Sequence, residues 1–140
     1  MSDIDYIIDA ARDSAGNDDE LDGLIWVAAQ SYLSLRGGIG DLGPADYSGS
    51  IDAIKVLAEK CLPGWGWRVG TCSVSDDAWL FPDTNHPILG AGLAKKYAHL
   101  HDPVEWFLEK TDVDLRPQGR QALAMCISLL LALKYADGMA

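Results

Sequence analysis

Bases are scarce in this chain. Lysine and arginine number 11 against 21 aspartates and glutamates, for a formal charge of −10 and a pI near 4.4. A protein that grips DNA or RNA by neutralising phosphates needs the opposite balance, so direct nucleic-acid binding is not expected. Cysteine is scarce as well. Cys61, Cys72 and Cys126 are odd in number and lack CxxC spacing. That argues against a disulfide framework or a zinc site and for reduced, buried thiols in a cytosol. The longest apolar run, 12 residues from Ala122 to Leu133 with one serine, is too short to cross a bilayer. The acidic N-terminus has no apolar stretch of the signal-peptide kind, so a cytoplasmic protein without membrane attachment is expected. Local catalytic contexts are missing too. The sequence shows no Ser/His/Asp or Cys/His grouping with a familiar surrounding. The acid pairs Asp112/Asp114 and Glu105/Glu109 fit solvated surface better than general acid and base. The expectation is therefore no enzyme, no catalytic residue and no cofactor.

What is present is an ordinary globular composition. The 140 residues are 49% hydrophobic with a mean hydropathy near zero, enough for one domain with its own core. Residues 3–36 read as two acidic helices. Ile4, Ile7, Ile8, Ala11 and Ala15 recur at helical spacing, with Asp5, Asp9 and Asp13 on the other side. Like charges four apart repel, so this helix needs docking to persist. Gly16 stops it, and Asn17 or Asp18 caps the next helix, with Asp19 and Glu20 in its first turn. Leu21, Leu24, Ile25, Ala28, Tyr32 and Leu35 form that helix's inner face. Trp26 and Leu33 lie off it, either packed under another element or part of a contact surface, a homodimer included. Residues 3–22 hold eight acids against one base, Arg12, and so carry −7 of the total charge.

Gly38, Gly40 and Gly43 spell GxGxxG, but a helix precedes them and Pro44 follows, so the loop 37–45 reads as a connector rather than a phosphate cradle. Residues 46–82 read as a helix followed by a tryptophan-rich hairpin. Ser48 is the expected N-cap, and Ile51, Ile54, Leu57, Ala58 and Cys61 give a core stripe. Lys55 and Glu59 pair outside, and Pro63-Gly64 is the stop. Trp65, Trp67, Val69 and Thr71 alternate with Gly66, Arg68, Gly70 and Cys72 in a strand over 65–72. Asp76-Asp77 is expected in a turn before a second strand, 78–81, closed by Pro82. Glycines opposite tryptophans imply close packing on the glycine side. The tryptophan row itself is core, or alternatively a small-ligand or nucleotide site at Trp65, Trp67 and Arg68.

The segment 83–116 is expected to hold a helix over 88–100. A second, short helix then starts at the Asp102-Pro103-Val104-Glu105 capping pattern and carries Trp106 and Phe107. His99, His101 and Asp102, joined by His86 or Asp83, are the metal-like grouping. Two residues apart on a helix, the histidines point about 200° from each other, so no metal site is expected. Residues 117–137 are apolar all round and should form a buried, central C-terminal helix.

The motifs DYSGSIDAIKVL…LPGWGW (46–67), AWLFP (78–82) and QALAMCISLLLAL (121–133), with NDDELDGLIWVA (17–28), resemble the phage ABA sandwich domain family. The resemblance implies an α/β/α layered fold encoded by bacteriophage or prophage genomes. It brings no established activity and no functional residues. The chain departs from the family's pattern at 83–116, a longer insertion that carries His86, His99, His101 and Trp106.

Together these readings predict a helix-rich α+β domain with a small antiparallel sheet between helices. The expected function is non-enzymatic binding of a host or phage macromolecule in the bacterial cytoplasm. One form is an acidic inhibitor of a nucleic-acid-handling defence complex, of the anti-CRISPR kind. Its candidate contacts are Asp5, Asp9, Asp13, Asp18, Asp19, Glu20 and Trp26.

Overall fold

A helix that is apolar on every side is stable in water only when other elements surround it. The C-terminal helix meets that condition in a computed structural model that describes residues 3–14, 18–34, 45–71, 75–98, 104–109 and 117–135. Among the described residues the order is α1 (Asp3–Asp13), α2 (Asp19–Ser34), α3 (Ile51–Cys61), β1 (Trp65–Thr71), β2 (Ser75–Pro82), α4 (Gly90–Lys96), β3 (Val104–Glu109) and α5 (Pro117–Tyr135). Every residue of α5 from Ala122 to Leu130 is buried. The helix packs on all three strands and on α1, α2 and α3. The core is one continuous cluster through these elements, and it includes Leu93 of α4 and Tyr97 at its C-terminal end. The expected α+β class therefore holds.

The strands form one antiparallel sheet in the order β1-β2-β3. In register, Trp65 lies opposite Pro82, Trp67 opposite Leu80 and Val69 opposite Ala78. Side chains alternate across a strand, so these six share one face. Trp65, Ala78 and Leu80 are buried there, in the same cluster as α5. The other face carries Gly66, exposed Arg68, and half-buried Trp79 and Phe81. A Cβ added to Gly66 would stand 2.5 Å from the Phe81 ring, so the expected close packing on the glycine side is an aromatic ring laid across the backbone. Core residues of α1, α2, α3 and α5 belong to the same cluster as this Trp65 face, and α4 also contacts β2.

Three local expectations are corrected. Val104–Glu109 is a strand, not a short helix: β3 pairs with β2 from Ser75↔Glu109 to Leu80↔Val104. Its Val-Glu-Trp-Phe-Leu-Glu sequence is rich in residues that suit a pleated sheet, and pairing along six positions outweighs the capping pattern before it. The segment 83–116 thus supplies a strand of the sheet. Asp76 and Asp77 lie in β2, opposite Thr71 and Gly70, rather than in a turn. The N-cap of α3 is Ser50, whose Oγ accepts the Ala53 N–H at 3.3 Å. Ser48 has a different task, described below.

The stripe expected on α3 is buried at Ile54, Leu57, Ala58 and Cys61. Lys55 does not pair with Glu59. Its Nζ stands 5.0 Å from the centre of the Trp67 ring. Gly64, with φ 82°, takes the left-handed conformation that the Pro-Gly stop requires. On α2 the inner row is Leu21, Ile25, Ala29, Tyr32 and Leu33, while Leu24 and Ala28 are half-buried. The helix is turned from the expected face because Asp22 also points inward, to a buried hydrogen bond.

Candidate functional site

The N-termini of α2 and α3 are joined by a polar node built from Asp18, Asp22 and Ser48. The Asp18 carboxylate caps α2 by accepting the Leu21 N–H at 3.1 Å and also accepts the Ser14 hydroxyl at 3.2 Å. The Asp18 N–H donates to Ser48 Oγ at 2.8 Å. Asp22 Oδ1 accepts the Ser48 N–H at 2.7 Å. Ser48 is fully buried and Asp22 is 5% exposed. The turn before α3 is thereby fastened to the first turn of α2. Burial pushes the Asp22 carboxyl above its ordinary value, the Ser48 hydrogen bonds oppose that shift, and the nearby charges of Asp46 and Asp19 add to it. Beneath the node the Cys126 thiol donates to the Tyr47 carbonyl at 3.1 Å, and burial holds that thiol well above its ordinary pKa.

Around this node the exposed acids gather. Asp19 and Glu20 lie in the first turn of α2 and Asp52 in that of α3, and Asp46 precedes the fastened turn; all four are exposed. Carboxylates in a first turn are favourable beside the positive end of the helix dipole. Asp9 and Asp13 on α1 are exposed as well. Of the residues expected to form a contact surface, Asp9, Asp13, Asp19 and Glu20 are exposed, Asp9 beside Arg12 at 3.8 Å. Asp5 is half-buried in an ion pair with Lys134 Nζ at 2.6 Å, which ties α1 to α5. Asp18 is taken up by the node. Trp26 is half-buried against the core, and Leu33 is buried. Sequence reasoning missed Asp22, Asp46 and Asp52 at this end. For Asp46 and Asp52 the signal was their position either side of the Ser48–Ser50 turn.

The alternative site at the hairpin is dispersed. Trp65 is buried edge-on to Tyr97, with ring centres 5.1 Å apart. Trp67 lies on the same sheet face, under Lys55. Arg68 is on the opposite face, its guanidinium 5.1 Å from the Trp79 ring centre. The sheet thus separates Arg68 from Trp65 and Trp67.

A cavity of about 650 Å³ opens instead where the C-terminal ends of α2 and α3 meet α4. Its wall is mostly apolar, with Leu33, Leu89, Leu93 and Tyr97 prominent, and Lys60, Lys96 and Glu59 share the lining. His86 shapes its α4 wall: Nδ1 accepts the N–H groups of Ile88 and Leu89 at 3.1 and 3.0 Å and so starts the turn into α4. Gly90 is pressed against the preceding loop, where an added Cβ would stand 2.4 Å from the Thr84 carbonyl oxygen. Backbone cannot yield as a side chain can, so Gly90→Ala is expected to cost about 1–3 kcal/mol, read as a lower urea midpoint. The expected metal-like grouping cannot be placed, because His99, His101 and Asp102 lie outside the described residues, as does the GxGxxG loop. Among the described residues no cluster of three or more metal-ligating side chains occurs, and no helix is long and apolar enough to cross a membrane.

No protein-family model, no curated protein and no solved structure matches this chain.

Proposed function

We propose that this is a non-enzymatic binding protein whose acidic end contacts a basic protein surface. The observation that carries the reading is the gathering of exposed Asp19, Glu20, Asp46 and Asp52 around the buried Asp18–Ser48–Asp22 node. Hydrogen bonds fix the helix starts that present these carboxylates, so they form a held pattern rather than independent surface charges. A fixed array of carboxylates competes with phosphates for a basic groove. The likeness of 46–67, 78–82 and 121–133 to the phage ABA sandwich family adds a phage or prophage setting. In that setting the partner is a nucleic-acid-handling complex of the bacterial cytoplasm, and the protein acts against it as an anti-defence inhibitor.

Capture from bacterial lysate, with wild type and an Asp9→Asn, Asp13→Asn, Asp19→Asn, Glu20→Gln variant, tests this reading. Asp5 and Asp18 are left intact because they hold the fold. The expected result is a basic partner recovered by wild type, lost at raised salt and lost in the variant, while the variant keeps a cooperative melt. A partner recovered equally by both proteins contradicts the acidic contact.

A further inference from the structure

The cavity between α2, α3 and α4 lies away from the acidic node, at the opposite ends of α2 and α3. We propose that it binds a small apolar anion, an aliphatic carboxylate of medium chain length. Its volume of about 650 Å³ is within the range of small-molecule sites. The apolar body of such a ligand matches Leu33, Leu89, Leu93 and Tyr97. The carboxylate matches Lys60 and Lys96, the two basic residues of the lining, which also holds one acid, Glu59. Both lysines are exposed, and neither is in an ion pair among the described residues. Lys96 Nζ stands 5.2 Å from the centre of the Tyr97 ring, which places a cation against the apolar wall. Each lysine also opposes the negative end of its own helix. That role accounts for the charge at a helix end but not for two lysines lining one mostly apolar cavity in a chain of net charge −10.

Gly92 supplies a control that does not depend on charge. It lines the cavity on α4, and an added Cβ would meet nothing within 4 Å. Gly92→Leu therefore starts its side chain from a position whose Cβ meets no clash, adds apolar bulk to a residue of the lining, and replaces a poor helix former with a good one.

The test is calorimetric titration of octanoate, with octan-1-ol as the uncharged comparison, into the full chain. Wild type is expected to bind octanoate at one site and more tightly than octan-1-ol by about tenfold. Lys60→Gln/Lys96→Gln is expected to remove that preference, and Gly92→Leu to remove binding while keeping or raising the melting temperature. Absence of octanoate binding overturns the proposal. So does equal affinity for the alcohol, or unchanged binding in Gly92→Leu. Capture of a basic partner through the acidic end is read separately and does not depend on this result.

Discussion

Leu129→Ala is expected to lower the unfolding free energy by about 2–5 kcal/mol, because a fully buried leucine loses both its transfer energy and its filled volume. Leu129 lies in the stretch of α5 where every side chain is buried. The sheet lies on one side of that helix and α1, α2 and α3 also pack against it, so no single element can collapse into the space left behind. Domains of this kind have about 5–15 kcal/mol of stability in total, so the loss is a large fraction. Val56→Ala is the matched control. Val56 is 50% exposed on α3, and truncating it should change stability by less than about 0.5 kcal/mol. Urea denaturation should show the first variant with a much lower midpoint and the second near wild type, both with an unchanged slope.

The second large effect is expected at the node. Asp22→Ala leaves the Ser48 N–H buried without its acceptor, at a cost of about 1–3 kcal/mol. Asp22→Asn keeps an acceptor oxygen and removes the charge, so it should be much milder. The pair also fixes the sign of the pH dependence. The folded carboxyl is raised above its ordinary value of 3.8, so the folded state binds this proton more readily than the unfolded chain does. The cost of keeping Asp22 charged is present in full above the raised value. It is relieved as pH falls through that value towards 3.8. Wild type should therefore gain stability relative to Asp22→Asn as pH is lowered across that window. A constant difference between the two proteins would mean that Asp22 does not titrate as its burial requires.

Much of the fold could be read from residue pattern alone. The apolar run 122–133, broken only by Ser128, marked α5 as central, and the stripe Ile54, Leu57, Ala58 and Cys61 marked the inner face of α3. The alternation from Trp65 to Thr71 marked β1. These features are local, and their period states which side is buried. The misreadings occurred where a long-range partner decides the outcome. Asp102-Pro103-Val104-Glu105 looks like a helix start, yet Val104–Glu109 is a strand because β2 offers a complete pairing edge. Ser48 is the cap expected by sequence, but its contact with Asp18 and Asp22, 30 and 26 residues away, takes it up, and Ser50 caps α3 instead. The same contact turned α2 so that Asp22 faces inward. The acidic arm was legible as charge, but its division into structural Asp5 and Asp18 and exposed Asp9, Asp13, Asp19 and Glu20 depends on Lys134 and Ser48, both remote in the chain. The cavity was not legible, since it is formed by the ends of three helices and no one of them carries its signature.

The salt dependence of partner binding tests the central claim most directly. The logarithm of the association constant is to be measured against the logarithm of salt concentration, for wild type and for an Asp19→Asn, Glu20→Gln, Asp46→Asn, Asp52→Asn variant. A contact made by the acidic end predicts binding that weakens steadily as salt rises for wild type, and a weaker and flatter dependence for the variant. Equal slopes and equal affinities for the two proteins would contradict it.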